Sequence, residues 1–163
     1  MSAIWLDLSG KTDSLTAELL DRLSAVFREN EAPFVLIGAT ARDLILVHGY
    51  GRPIRRATQD VDCAVLLKDW KKFEKIKAAL LATGQFKATR EPQRLLYRDA
   101  VPVDLIPFGP LAENGVLAWP PDQSVQMSVL GLKEAYEQGR LIRLRRDPPL
   151  DVRVAPLPLL PVL

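Results

Sequence analysis

The chain has 163 residues, a formal net charge of +2 and 48% hydrophobic residues. This length suits one domain with a substantial core, and so small a charge argues against a nucleic-acid coat or a membrane-surface protein. The single cysteine, Cys63, excludes an intramolecular disulfide. Because the first residues lack the basic region of a signal peptide, and no apolar run approaches the roughly 20 residues that span a bilayer, we expect a cytoplasmic protein without membrane segments.

The first half of the chain predicts alternating helices and strands. Each helix is indicated by apolar residues at helical spacing, and each strand by a short apolar run. In chain order these elements are a helix capped by Asp13 or Ser14, a strand over 34–37 that Gly38 ends, a helix over about 41–48 capped by Thr40, a strand over 61–67, and a helix from 68 that Gly84 closes.

The second half is richer in proline, with 11 of the 13 prolines at or after Pro92. It predicts two strands, over 94–98 and 101–106, that are joined by a tight turn at 99–100, and then a proline-rich loop over 107–122. A short helix over 131–138 and strands over 141–145 and 152–154 follow. This order of elements predicts an α/β or α+β fold, in which a mixed sheet is flanked by helices.

Two carboxylates, Asp60 and Asp62, open the predicted strand over 61–67. Side chains alternate along a strand, so both point to the same face. Two like charges on one face repel each other, and burying a carboxylate without a partner costs several kcal/mol. A divalent cation such as Mg²⁺ removes both penalties, because it prefers carboxylate oxygens as ligands.

A third acid, Asp104, lies in the apolar segment Val-Pro-Val-Asp-Leu-Ile-Pro, on the same face as Pro102 and Ile106. If this strand lies beside the first, three carboxylates converge, as two-metal phosphoryl-transfer sites require. Two simpler interpretations stay open. Asp104 pairs with Arg94 or Arg98 on the neighbouring strand, or the Asp-x-Asp pattern is a solvated turn.

The segment over 35–43 predicts a strand, a glycine and an immediate helix start. Backbone N–H groups and the positive dipole end of such a helix bind phosphate. Gly38 allows close approach, and the hydroxyl of Thr40 adds a donor. Arg42 and Arg56 are candidate ligands of a triphosphate, although a salt bridge to an acid is the alternative for Arg42.

Together, Gly-Ala-Thr at 38–40, Arg-Arg-Ala-Thr-Gln-Asp-Val-Asp at 55–62 and Val-Asp-Leu-Ile at 103–106 resemble the nucleotidyltransferase superfamily to which DNA polymerase β belongs. Within it, Gly-Ala-Thr-Ala-Arg-Asp-Leu-Ile-Leu is similar to the bacterial abortive-infection (AbiE) toxin nucleotidyltransferases. The resemblance runs from about Phe34 to Pro158. It implies a single nucleotidyltransferase-like domain over 1–163, without the helical region that usually follows in relatives.

The resemblance also implies an activity: the transfer of a nucleoside monophosphate from an NTP to an acceptor hydroxyl, with RNA as a candidate acceptor and Mg²⁺ or Mn²⁺ as the metal. The implied catalytic residues and metal ligands are Asp60, Asp62 and Asp104, the last also being the base on the acceptor hydroxyl. The implied nucleotide-binding residues are Gly38, Ala39, Thr40, Arg42 and Arg56. Many relatives have Gly-Gly or Gly-Ser where this chain has Gly38 and Ala39, so a hydroxyl on the phosphate is missing unless Thr40 supplies it.

The main alternative is a nucleotide-binding interaction module that has lost transfer activity. The toxin-like resemblance adds a cognate antitoxin as a candidate partner. The apolar tail over 158–163 predicts self-association, a partner chain, or packing on the protein's own sheet edge. Trp119 either stacks on a base or plugs a loop, and the basic strand over 140–146 either tracks RNA phosphates or is a sheet edge protected by charge.

Overall fold

A mixed β-sheet organises the part of the chain that the computed structural model describes, which is residues 3–51 and 60–162. The strands there are β1 Ile4–Asp7, β2 Phe34–Ile37, β3 Val61–Leu66, β4 Phe86–Ala88, β5 Arg94–Tyr97, β6 Val101–Phe108, β7 Val116–Trp119, β8 Val125–Ser128, β9 Arg140–Arg146 and β10 Pro149–Val154. The helices are α1 Ser14–Glu29, α2 Gly38–Asp43, α3 Trp70–Ala82 and α4 Leu132–Glu137, with a π-helix over Leu44–Gly49 and a 3₁₀ helix over Leu157–Val162.

Eight of these strands form one sheet in the order β1-β9-β10-β2-β3-β6-β5-β4, and β7 pairs with β8 in a separate hairpin. At the centre, β3 runs antiparallel to β2 and parallel to β6, and β6 runs antiparallel to β5. The predicted mixed sheet flanked by helices is therefore confirmed. Within the described residues, no helix is both long enough and apolar enough to cross a membrane.

The two long helices form where capping and apolar spacing agree. The carboxylate of Asp13 accepts from the N–H of Thr16 at 2.9 Å, and that of Asp69 accepts from the N–H of Lys72 at 2.8 Å, so each helix start is capped. The buried residues of α1 are Leu19, Leu20, Leu23, Val26 and Phe27, and those of α3 are Phe73, Ile76 and Leu80. Leu15, which lies four residues before Leu19 and so continues the apolar spacing of α1, is exposed.

The prediction was wrong where proline dominated the sequence signal. The expected loop over 107–122 contains the end of β6 and all of β7, which pairs with β8. Trp119, at the end of β7, is only 2% exposed, and its ring lies 4.8 Å from that of Trp70 and 5.4 Å from that of Phe73. Trp119 is therefore a core residue, and its packing against these rings explains why the hairpin forms despite the prolines around it.

Two boundaries also differ from expectation. The helix after β2 begins at Gly38, three residues earlier than predicted, and Thr40 does not cap it. Before the tail, Val154 is buried in β10 and Leu157 packs against the core, and within the tail Leu159 also packs against the core of its own chain. Of the outcomes expected for the tail, packing on the protein itself accounts for the side chains described there.

Candidate active site

Neighbouring strands bring the predicted acids together. In the parallel pairing of β3 with β6, Asp62 lies directly opposite Asp104, so both side chains point to the same face of the sheet. Asp60 immediately precedes β3, and half of its side-chain surface is exposed. Two of the three carboxylates are therefore direct neighbours, and the third lies one pleat away at the strand entry.

Asp62 is the most strongly perturbed of these acids. Burial raises its pKa to about 6, and the negative charges of Asp104 and Asp60 act in the same direction, while Arg94 opposes them. The carboxylate of Asp62 thus lacks a nearby positive charge sufficient to offset its burial. A cation bound beside it would supply that charge.

Asp104 already has a cation as its partner. Nε of Arg94 donates to its Oδ1 at 2.8 Å and Nη2 donates to its Oδ2 at 2.9 Å. Arg94 lies opposite Asp104 in the β5–β6 pairing. Of the two partners expected for Asp104, the structure selects Arg94, because Arg98 points elsewhere and pairs with Glu18 at 2.9 Å. The expected convergence of three free carboxylates is thus incomplete, since both oxygens of Asp104 accept from the guanidinium.

Gly38 lies directly against this acidic cluster. Its φ is +71°, and a Cβ added there would collide with the carboxylate of Asp62, coming within 3.2 Å of Cγ. Both the backbone conformation and the lack of space require glycine at this position. The start of α2 therefore approaches Asp62 as closely as a backbone can.

Thr40 links the helix to the acidic strand. Its hydroxyl donates to the backbone carbonyl of Asp60 at 2.6 Å, so its proton is engaged with the protein in this structure. Ala39 lies between Gly38 and Thr40 in the first turn of α2. The three small residues named for nucleotide binding therefore lie beside the carboxylates, with the Thr40 hydroxyl used to hold the two elements together.

The two arginines named for nucleotide binding are placed differently. Arg42 is about half exposed and lies 3.4 Å from the carboxylate of Asp43, the salt bridge considered as its alternative role. Arg56 lies outside the described residues. Its predicted contact with a triphosphate stays a prediction.

Two adjoining cavities extend from the acids along the same face of the sheet. The first, of about 310 Å³, is lined by Gly38, Asp62 and Ile106, and also by residues of the segment after β8. The second, of about 530 Å³, is lined by Leu66 and Phe108 at the far ends of β3 and β6. Leu130 lines both cavities. Since Leu66 follows Asp62 by four residues, the second cavity begins about 13 Å further along the strand.

The sequence did not predict which residues form the walls of these cavities. They come from β8, the residues after it, and α4, a region that was predicted only as loop and short helix. Met127 and Leu130 each line a cavity there. The apolar residues of this segment were visible in the sequence, but their contact with the sheet depends on the unrecognised hairpin.

No family model and no curated protein matches the sequence of this chain. Among solved structures, the lincomycin-bound crystal structure of the lincosamide antibiotic adenylyltransferase LnuA is similar, with a TM-score of 0.52 and 13% identity over 93% of this chain and 85% of that chain. ANT(2'')-Ia in complex with adenylyl-2''-tobramycin gives a TM-score of 0.50 and 15% identity over 90% and 72%. This chain has a nucleotidyltransferase fold.

The predicted nucleotidyltransferase-like sheet is thereby confirmed, and at these identities the likeness establishes the fold alone. A solution structure of ANT(2'')-Ia also matches, with a TM-score of 0.44 and 19% identity over 73% of this chain, which spans 55% of the length of that protein. The narrower resemblance to AbiE-type toxins finds no counterpart among these structures.

Arginines of the basic strand β9 form ion pairs with acidic residues of the same chain. Arg143 pairs with Asp151 at 2.8 Å, Arg145 with Asp21 at 3.3 Å and Arg146 with Asp7 at 3.1 Å. The expectation of a protected sheet edge was wrong, because β9 lies between β1 and β10. These intramolecular pairs occupy three of the four arginines of the basic strand that was considered for RNA binding, and the guanidinium of the fourth, Arg140, lies over the ring of Trp5.

Proposed function

We propose that the protein is a metal-dependent nucleotidyltransferase, which moves a nucleoside monophosphate from an NTP to an acceptor hydroxyl. One observation carries the proposal: Asp62 and Asp104 lie opposite each other on paired strands, with Asp60 one pleat away and Gly38 in contact range at the helix start. This arrangement occurs in a fold shared with an enzyme described as an adenylyltransferase. Carboxylates beside a phosphate-binding backbone are what such a transfer requires.

Asp60 and Asp62 would hold the metal ion, Mg²⁺ or Mn²⁺. Their carboxylate oxygens suit a hard cation, and the raised pKa of Asp62, due to burial and the neighbouring acids, fits a group that gains from one. When bound, the ion supplies charge neutralisation at the transferring phosphate. The N–H groups at the start of α2, next to Gly38, would orient the triphosphate, with Arg42 and Arg56 as further proposed contacts.

Asp104 would act on the acceptor. Each carboxylate oxygen has two acceptor positions, so the bonds from Arg94 leave one on each oxygen. Asp104 then accepts a hydrogen bond from the acceptor hydroxyl and takes its proton as that oxygen attacks the α-phosphorus and pyrophosphate leaves. Holding the hydroxyl in line with the phosphorus is the larger part of this role.

Two acceptor classes follow from different observations. RNA follows from the toxin-like resemblance, together with a toxin–antitoxin role and a cognate antitoxin as partner. A small hydroxyl compound is favoured by the cavity of about 310 Å³ that Asp62 lines, by the adjoining cavity of about 530 Å³, and by the intramolecular pairing of Arg143, Arg145 and Arg146 in β9. The proteins of similar fold named above were solved with lincomycin and with an adenylylated tobramycin.

The test uses the full chain, Mg²⁺ and each of the four NTPs labelled at the α-phosphate. Acceptors are a pool of small RNAs and, separately, a panel of hydroxyl-bearing antibiotics that includes a lincosamide and an aminoglycoside. We expect label to move to one acceptor class and to stay on the NTP with Asp62→Asn. Calorimetric binding of NTP and Mg²⁺ without transfer to any acceptor supports the interaction module instead, and the absence of both binding and transfer contradicts both functions.

A further inference from the structure

The guanidinium of Arg94 lies against two of the three carboxylates of the site. Its Nε and Nη2 contact the two oxygens of Asp104 at 2.8 and 2.9 Å, and Nη2 lies 3.9 Å from Oδ2 of Asp60. We propose that Arg94 replaces a second metal ion, so that this chain binds a single divalent cation between Asp60 and Asp62. The inference rests on the proposed nucleotidyltransferase site and assigns Arg94 as a positioning residue within it.

The position of Arg94 is set by the sheet. Arg94 and Asp104 are directly opposed in the antiparallel β5–β6 pairing, and the Asp104 side chain is only 16% exposed. Two parallel N–H···O bonds of this kind fix the orientation of both groups. The guanidinium therefore belongs to the site as a permanent positive charge rather than as one conformation of a surface side chain.

A dication on Asp104 would be repelled by this charge. Both oxygens of Asp104 already accept from Arg94, and an ion bound to either one would lie next to the guanidinium, where like charges oppose each other strongly at short range. The donor set thus fits one ion better than two.

Charge balance gives the same result. Among the site acids alone, Asp60, Asp62 and Asp104 carry three negative charges, Arg94 neutralises one of them, and a single dication neutralises the other two. Glu91 also lies 3.9 Å from Arg94, but its side chain is more than half exposed and its charge is screened by solvent. Arg94 meanwhile holds Asp104 with its free acceptor positions available for a hydroxyl, so its effect on transfer is exerted through Asp104.

The experiment counts Mn²⁺ ions bound to the full chain by electron paramagnetic resonance, with MnCl₂ as the only probe. Wild type is compared with Arg94→Gln and with the matched control Arg143→Gln, which removes a bidentate pair of the same geometry elsewhere in the sheet. We expect one Mn²⁺ per chain for wild type and for Arg143→Gln. For Arg94→Gln we expect a second site, with at least about tenfold higher affinity than any second site of wild type.

Two results overturn the inference: two Mn²⁺ sites in wild type, or a single site in folded Arg94→Gln. If Arg94→Gln does not fold, the double variant Arg94→Gln/Asp104→Asn removes the pair as a unit. We expect it to keep one Mn²⁺ with wild-type affinity, and loss of that ion contradicts the assignment to Asp60 and Asp62. No Mn²⁺ binding by wild type at all contradicts the proposed metal-dependent function itself, an outcome distinct from a wrong count.

Discussion

The pairs Arg94–Asp104 and Arg143–Asp151 have nearly the same geometry in different surroundings. Their two hydrogen bonds measure 2.8 and 2.9 Å in the first and 2.8 and 3.0 Å in the second, and each arginine side chain is 32% exposed. The first pair lies on β5 and β6, and the second on β9 and β10, beyond β3 and β2 in the sheet. Asp104 is somewhat more buried than Asp151, at 16% against 27% exposed, and the larger difference lies in the neighbouring charges.

The neighbouring charges are balanced at one pair and unbalanced at the other. Asp62 and Asp60 adjoin the Arg94 pair and leave it with an excess of negative charge. Near the Arg143 pair, Asp7 is matched by Arg146, which contacts it at 3.1 Å. We therefore expect the Arg143–Asp151 pair, where charge is balanced, to be a structural contact, and the Arg94–Asp104 pair, where further carboxylates remain uncompensated, to belong to the proposed cation site.

The largest effect is expected from removing that excess charge. Asp62→Asn should reduce transfer by about 10³-fold or more, because the proposed metal ion would lose a ligand. The matched substitution Asp151→Asn, in the balanced pair, should leave transfer unchanged. Initial rates with labelled NTP measure both, and a loss of equal size in the two variants contradicts the distinction between the pairs.

The second effect concerns the contact between Gly38 and Asp62. Gly38→Ala should reduce transfer by about 10²-fold, because the new methyl group displaces a carboxylate that must be positioned to a fraction of an ångström. The control is Gly10→Ala, since Gly10 also has a positive φ, of +77°, but an added Cβ meets nothing within 4 Å. Both variants should lower the unfolding midpoint, and only Gly38→Ala should lower activity.

The third effect is on stability and depends on pH. Because the folded-state pKa of Asp62 is raised to about 6 from 3.8, the native state holds this proton where the unfolded state has lost it, and Asp62 increasingly destabilises the protein as pH rises through this interval. Without metal, Asp62→Asn should therefore be more stable than wild type at pH 7.5 by about 1–3 kcal/mol. The difference should disappear near pH 4.

Urea unfolding at both pH values measures this difference, with Asp151→Asn as the control. Mg²⁺ should stabilise wild type at pH 7.5 and should leave Asp62→Asn unaffected. If wild type is as stable as Asp62→Asn at pH 7.5 without metal, the ionised carboxylate of Asp62 does not lower the free energy of unfolding, and the prediction is wrong.

The smallest effect is expected at the balanced pair itself. Arg143→Gln leaves Asp151 without its bidentate partner, so the thermal midpoint should fall modestly, while transfer and its dependence on Mg²⁺ concentration stay unchanged. Differential scanning calorimetry and a Mg²⁺ titration of activity give the two readouts. A changed Mg²⁺ dependence would place the Arg143 pair inside the functional site.

Much of the sheet could be predicted because its elements carry local signals. The apolar run of β3 and the helical spacing of apolar residues in α1 and α3 are visible in the sequence itself. The shared face of Asp60 and Asp62 follows from the alternation of side chains along a strand. In contrast, β1 is short and pairs with residues far along the chain, with Leu6 opposite Ile142. No local pattern predicts such a pairing.

The length of the turn between β5 and β6 decides which residue lies opposite Asp104. A two-residue turn at 99–100, as predicted, places Leu95 opposite Asp104. The structure instead pairs Tyr97 with Val101, which leaves three residues in the turn and brings Arg94 opposite Asp104. Two of those turn residues, Arg98 and Asp99, have positive φ values of 50° and 56°, and neither is glycine or asparagine, so the usual sequence signal was missing.

The hydrogen bond from Thr40 to the carbonyl of Asp60 connects α2 directly to the entry of β3, although the two residues are distant in the chain. A phosphate that draws the start of α2 toward itself pulls on the backbone at the entry of β3, and an ion that orders the entry of β3 steadies the start of the helix. Nucleotide and cation are therefore expected to tighten each other's binding without any domain closure. The coupling would act over the length of one threonine side chain.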